Sequence, residues 1–481
     1  MLGATERLYR QRLTRYLTAL RHEKPDRVPI RPFVAEFTAR YAGFTNQDVT
    51  HDYAKAFEAV CRCAADFDWD AMVPNMVYVW TGLTQAIGLR YYAIPGVQAP
   101  VQSGFQYLEP DEEHAFMKED EYDALIADPT AFLYNVWLPR VSTEVVAPGQ
   151  PATYRGALAL VKGGMAMMQY FGAFGPQCER LRREFGMPGA IAGILKAPLD
   201  ILGDKLRGYI GLTMDLMTQP AKVKAACEAL QPHLASVALG SADPRRQLPV
   251  GFWMHRGCVP FVTREHFNTI YWPTLKPIIE ALWQNGHQTL FYAEGDWNAH
   301  LDAFAELPDR SIVYHVDRAD IFAAHRRLGQ KFCLSGGIPN FVLWHGTPRE
   351  VREWCRKVIE GVAGEGGYVM DAGAIIQDDA RPENLRALTE ATHEYGVYGD
   401  VGAVALRDPD APTFAPAEYA GSGGGLPPFP AARTPPGQCY PWARKRPEVG
   451  PISGDTDLME RVWTQVDGLG NMFIWQCLVS F

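Results

Sequence analysis

The amino-acid sequence predicts a parallel α/β barrel of the (β/α)8 TIM type, with a Pro/Gly-rich C-terminal extension. Three observations carry that prediction. Five segments of the second half run from apolar residues into a polar group: Val250 to His255, Thr289 to Glu294, Ile312 to Asp317, Phe332 to Gly337 and Gly367 to Asp371. Helix-like stretches separate most of them, and sustained β/α alternation is the mark of a parallel sheet. The length, 481 residues, holds one large barrel with additions.

In chain order, residues 5–21 read as a basic amphipathic helix, and Glu23 to Ile30 as a turn entering a first strand. A helix over 53–67 and a short strand over 70–77 follow. The acidic stretch 108–135 is expected to cross a barrel end. Residues 163–176, rich in Met, Gly and aromatics, suit a soft lid or a packed loop or helix. From 197 to 233 the pattern is helical. Then come helix 264–285, strand 289–294, helix 298–306, strand 311–316, helix 318–328, strand 332–335, helix 348–362, strand 367–371 and helix 381–395. Residues 407–452 are Pro/Gly-rich, including Gly421 to Gly425, and 455–481 regain helical, apolar character. The expected division is a barrel over 1–405 and an arm over 406–481 that docks on the barrel or on a second subunit.

Composition excludes several classes. A net charge of −9 does not suit nucleic acid or an anionic membrane surface. No apolar run reaches the ~18 residues of a membrane helix, and the N-terminus lacks a signal-peptide core. The nine scattered cysteines contain no CxxC pair and read as buried thiols of a cytoplasmic protein.

In such a barrel the carboxyl ends of the strands share one mouth, where the chemistry sits. His255, Glu294, His315, Asp317 and Asp371 are therefore expected to converge there, and a metal site is one reading of them. Structural readings stand beside it. Glu294 or Asp317 could cap a helix, and His315 could be a core histidine. Trp80, Tyr91, Tyr92, Trp253 and Tyr292 supply aromatic surface, and Tyr292 points the same way as Glu294 from its strand.

The motif Arg21-His22-Glu23-Lys24-Pro25-Asp26-Arg27-Val28-Pro29 resembles the opening of the uroporphyrinogen decarboxylase superfamily. Ala197 to Leu202, Leu206-Arg207-Gly208, Asp215, and the run from Gly366 to Leu385 resemble its later motifs. The resemblance spans roughly residues 5–400. It implies a barrel, a cytoplasmic homodimer, and one of two chemistries: cofactor-free tetrapyrrole decarboxylation, or zinc-assisted methyl transfer with a cobalamin (corrinoid).

The decarboxylases read Arg-Gln-Ala-Gly-Arg-Tyr after the first strand; here Glu36-Phe37-Thr38-Ala39-Arg40-Tyr41 stands there. A carboxylate at Glu36 would repel a polyacid substrate. The thiolate ligands of thiol-directed methyltransferases are replaced by Tyr292-Ala293-Glu294-Gly295 and Gly373-Ala374. Methyl-ether demethylating relatives use two glutamates and a histidine, with twenty residues between the second glutamate and the histidine; Glu294 and His315 match that spacing. Glu280 lies one residue out of step for the first glutamate, and His255, Asp317 and Glu280 compete as third ligand.

The resemblance thus implies a methyltransferase acting on a small substrate, a methyl ether among the candidates, with a separate corrinoid protein as partner. His255, Glu294 and His315 are its expected zinc ligands, Asp317, Tyr292 and Arg40 its catalytic side chains, and Arg31, Trp253 and Tyr41 its substrate contacts. The alternatives are a decarboxylase with Arg31 and Arg40 as carboxylate clamps, or a non-catalytic binding barrel.

Overall fold

The computed structural model describes residues 3–76, 81–111, 113–402, 405–419 and 429–479. Its centre is a parallel sheet in sequence order: Ile194–Leu195, Val250–Met254, Thr289–Ala293, Ile312–Val316, Cys333–Gly336 and Tyr368–Val369. Two short segments, around Ile30 and Met72, close it into a ring. Ile30 bridges Met370 in parallel, with Arg31 N–H donating to Met370 O at 3.0 Å and Met370 N–H to Pro29 O at 2.8 Å. Asp70 N–H donates to Ile30 O at 2.8 Å, and Met72 bridges Gly189 in parallel. Gly251 N–H then reaches Gly193 O at 3.0 Å. Eight chain segments therefore complete a barrel, as the alternation predicts.

Successive strand residues face opposite sides, and the core divides accordingly. Phe252, Phe291, Tyr314, Leu334, Tyr368 and Met370 pack outward against the helices. Trp253, Leu290, Tyr292, Val313, Cys333, Val369 and Phe33 fill the interior. The interior also encloses a polar chain. Arg31, buried without exposure, donates to Asp371 Oδ2 at 2.9 Å and to Ser335 Oγ at 2.6 Å. Ser335 Oγ lies 2.9 Å from His315 Nδ1, and His315 Nε2 lies 2.8 Å from Gly373 O. Ser335 thus donates to Nδ1 and Nε2–H donates to the carbonyl, which assigns a neutral tautomer. Burial and the charge of Arg31 push the His315 pKa well down, in keeping with that assignment.

Most expected helices form. Tyr53–Asp66, Pro348–Val362 and Pro382–Tyr395 fall where the periodicity places them. The helix expected from 318 begins at Ile321 because Asp320 Oδ1 accepts Phe322 N–H at 2.9 Å. The strand expected over 70–77 contracts to the bridge at Met72. Residues 163–176 lie within one helix, Tyr154–Phe185, capped by Thr153. Its glycines permit close approach: a Cβ on Gly163 would fall 2.5 Å from Ile87 Cγ2. Trp80 and Gly421 to Gly425 lie outside the described residues.

The C-terminal extension braces the barrel at two places. Phe414 and Tyr419 pack on Trp283, and Glu418 pairs with Arg21 at 3.0 Å and Arg310 at 2.8 Å, near the strand starts. At the far end, Trp475 stacks on His233 at 4.7 Å, and its indole N–H donates to Thr130 Oγ1 at 3.2 Å. All nine cysteines are free thiols. No helix among the described residues is long and apolar enough to cross a membrane.

Removing one partner of a buried ion pair leaves the other charge uncompensated. Asp371→Ala is therefore expected to cost about 3–5 kcal/mol in urea unfolding, far more than an exposed acidic residue such as Asp302→Ala.

Candidate active site

The mouth of the barrel opens into a cleft of about 1120 Å³. Inward-facing positions stack in layers set by strand register. Trp253 pairs with Tyr292, Tyr292 with His315, and His315 with Ser335, so these four lie at one level. Trp253 and Tyr292 stack at 5.0 Å, and Tyr292 and His315 at 4.4 Å. Two residues further along, about 7 Å at ~3.3 Å per residue, come His255, Glu294 and Asp317, all lining the cleft.

Glu294 and Asp317 form an acidic pair at this upper level. Asp317 Oδ2 accepts Gly295 N–H at 2.8 Å. Burial pushes its pKa up to about 6, with Glu294 adding to the rise. Neither caps a helix; Asp320 caps Ile321–Leu328, its Oδ1 accepting Phe322 N–H at 2.9 Å.

The adjoining wall is built on the turn Ala197-Pro198-Leu199-Asp200. Pro198–Ile201 is α-helical and Leu202–Leu206 continues as a π turn, bringing Asp200 and Asp204 to one end of the Val250–Met254 strand. Asp200 Oδ1 accepts the N–H groups of His255 and Arg256, both at 2.9 Å. Asp204 accepts from Lys196 Nζ at 2.6 Å, His255 Nε2 at 2.7 Å and Arg256 Nε at 2.8 Å. Burial alone would raise the Asp204 pKa, but these cations hold it well below the usual carboxylate range. Burial works against charge on His255, yet Asp204 outweighs it and raises the pKa, so the imidazolium is favoured. With Arg256 it makes this wall cationic.

A third carboxyl faces the cleft beside the first strand. Glu36, 6 % exposed, has its Oε2 buried without a hydrogen-bond partner. Burial pushes its pKa up to about 7.

Of the residues expected to act together, the structure gathers Glu294, Asp317, His255 and Trp253 at the cleft. His315 and Asp371 lie in the interior instead, and Arg31 is spent on Asp371. Arg40 is exposed and donates to Asp378 O. The Tyr41 hydroxyl donates to Asp66 at 2.8 Å and accepts from Arg386 at 3.0 Å. None of these five lines the cleft. Glu280 sits half-buried on the Trp272–Gln284 helix. Tyr91 and Tyr92 are buried around Lys205, 4.2 and 4.4 Å from its Nζ, rather than offering an aromatic surface. Sequence reading missed Lys196, Asp204 and the cleft role of Glu36; the i, i+4 spacing of Asp200 and Asp204 was the available signal.

The zinc set expected from Glu294, His315 and His255 is not assembled. His315 is a layer below Glu294, both its nitrogens are engaged, and His255 Nε2 is tied to Asp204. Among the described residues, the one group of three potential ligands within 4.8 Å of one another is Asp200, Asp204 and His255. Lys196 and Arg256 already balance those carboxylates. A divalent ion there would add charge to a cluster that is compensated, so the donor set does not fit zinc.

Glu36 generates a pH-dependent prediction. Its folded pKa is raised, so the folded state holds the proton more tightly and stability falls as pH rises from about 4.5 to about 7. At ~1.36 kcal/mol per pKa unit, Glu36→Gln is expected to match wild type near pH 4 and exceed it by about 3 kcal/mol at pH 8. Chemical denaturation at both pH values checks this; an equal difference at both would contradict it.

Comparison with known proteins places this architecture. Residues 165–395 match the family model described as uroporphyrinogen decarboxylase (URO-D). A uroporphyrinogen decarboxylase of Ruthia magnifica is 32 % identical over 72 residues, 15 % of this chain and 20 % of that protein. One from Pseudoalteromonas translucida is 34 % identical over 76 residues, 16 % of this chain and 21 % of that protein. The chain therefore matches about a fifth of the length of these curated relatives. A solved methyltransferase from Methanosarcina mazei shares the fold, with a TM-score of 0.53 and 15 % identity, over 80 % of this chain and 98 % of that one. Family match, sequence motifs and closed barrel agree in relating residues 165–395 of this chain to the uroporphyrinogen decarboxylase (URO-D) family.

Proposed function

We propose that this protein is a methyltransferase moving a methyl group between a small substrate and a cobalt corrinoid presented by a partner protein. An aromatic methyl ether that also bears a carboxylate suits the cleft best. The observation that carries the reading is the acidic pair Glu294 and Asp317 beside an adjoining wall of His255 and Arg256 in one cleft. The wall of His255 and Arg256 can hold the substrate carboxylate, and Phe261 offers apolar surface to its ring. Asp317, whose pKa is near 6, retains a protonated fraction near neutrality and can act as general acid.

In the demethylating direction the methyl–oxygen bond breaks and the departing oxygen takes the Asp317 proton. Glu294 keeps that proton on Asp317 by disfavouring a second charge beside it. The corrinoid supplies the methyl-accepting centre when bound. At about 1120 Å³ the cleft exceeds the ~300–1,000 Å³ of a usual small-molecule site, which leaves its outer part for the face of a second, larger group.

The polyacid alternative finds less support. Arg31 is locked to Asp371, Arg40 points at Asp378 O, and Glu36 stands in the cleft where an arginine would grip a carboxylate. The test is anaerobic consumption of cob(I)alamin by the protein with a panel of methoxybenzoates, beside turnover of uroporphyrinogen. Wild type is expected to transfer methyl groups, and Asp317→Asn to lose about a hundred- to ten-thousand-fold in kcat/KM. The limb of the pH profile governed by a group near 6 should vanish with it. Uroporphyrinogen decarboxylation without methyl transfer would overturn the reading.

A further inference from the structure

Glu36 opens the helix Glu36–Tyr41 and lines the cleft. Every other buried carboxyl among the described residues has a cationic side chain within 4.0 Å. Asp70 pairs with Arg15, Asp204 with Lys196, Asp215 with Arg207 and Asp371 with Arg31. Glu36 is the exception. Its Oε2 has no hydrogen-bond partner, and the charge beside it is a second carboxylate, Asp378. A buried charge without a counter-ion is costly, and so is an orphaned buried acceptor. The protein itself supplies neither a cation nor a donor to this oxygen.

The surroundings hold the carboxyl in place. Gly104 lies so close that a Cβ there would fall 2.8 Å from Glu36 Oε1. The loop before it is tied down by Asn46 Nδ2, which donates to Gln102 O at 2.6 Å, and by Gln47 N–H, which donates to Val101 O at 3.0 Å. From Gly104 the chain follows the cleft through Phe105 to Tyr107, whose hydroxyl accepts from Lys196 Nζ at 2.6 Å. Lys196 also donates to Asp204, which holds His255 and Arg256. Three residues of chain therefore join the Glu36 corner to that wall, at most about 10 Å at ~3.3 Å per residue. A ring whose carboxylate sits on His255 and Arg256 has its far end within reach of Glu36.

We infer that Glu36 binds a protonated amine, so that the ligand of this cleft carries a carboxylate at one end and an ammonium group at the other. The inference rests on reading the cleft as the substrate site, and not on which bond is broken there. The ammonium N–H groups satisfy Oε2, and the positive charge is the counter-ion that the fold leaves out. Phe105 lines the same corner, and aromatic rings attract cations. A metal ion is a poorer occupant. Among the described residues, Glu36 belongs to no group of three potential ligands within 4.8 Å of one another.

The test is isothermal titration calorimetry at pH 8, where a carboxyl with a pKa of about 7 is charged. The probes are a methoxybenzoate with an aminomethyl group opposite its carboxylate, and the analogue with ethyl in that place. Wild type is expected to bind the amine about 10- to 100-fold more tightly, the effect of a hydrogen bond between charged groups. Glu36→Gln keeps the shape and removes the charge. It should erase that preference and leave affinity for the ethyl analogue unchanged, which also shows that the variant is folded. Equal affinity for the two probes in wild type, a preference that survives Glu36→Gln, or no heat from either probe would overturn the inference. Methyl transfer from both probes without an amine preference would do so while leaving the proposed reaction standing. A Glu36-dependent amine preference with no methyl transfer would instead sink the reaction and support the amine site.

Discussion

The closure of the first strand against the last is the constraint on which the rest depends. It rests on two backbone hydrogen bonds between Pro29–Arg31 and Met370 and on one buried ion pair, Arg31 with Asp371. A guanidinium without solvent exposure is tolerable only with its partners in place. Asp371 supplies the charge, and Ser335 accepts a further N–H. Ser335 in turn fixes the His315 tautomer, and His315 stacks under Tyr292 and Trp253. One charge pair thus positions a whole interior layer, and that layer is the floor of the cleft above it.

What the floor supports is a division of charge. Strand register lifts Glu294 and Asp317 one layer above His315, while the π turn at Leu202–Leu206 carries Asp204 to the adjoining wall. There Lys196, His255 and Arg256 surround Asp204, and Asp200 holds the backbone of His255 and Arg256 beside it. Under the proposed function these adjoining charged groups would orient a substrate with a polar head and a protonatable leaving oxygen. A polyacid would meet two carboxyls and the protonatable Glu36.

Much of this was legible in the sequence. Five strands, their polar ends and the helices between them follow from periodicity, because a parallel sheet buries both faces and reads as continuous apolar runs. The inward parity of Glu294 and Asp317 follows from the same rule. What periodicity cannot supply is the axial offset between neighbouring strands: a twenty-residue spacing put Glu294 and His315 together, whereas register pairs His315 with Tyr292. Arg31, Arg40 and Tyr41 read as mouth residues for a related reason, since a short first strand gives no hint of where its side chains end. The Lys196–Asp204–His255 cluster joins three separate segments, and only the spacing of Asp200 and Asp204 hinted at it. The long helix over 154–185 hid behind its glycines, whose low helix propensity is offset by the close packing they allow.

Under the proposed function the cleft selects a small carboxylated ether over a tetrapyrrole polyacid. Isothermal titration calorimetry with a methoxybenzoate and with uroporphyrin addresses it directly. Saturable binding of the methoxybenzoate is expected, weakened in Arg256→Ala, with none of uroporphyrin. Saturable uroporphyrin binding, with no heat from any methoxybenzoate, would contradict it.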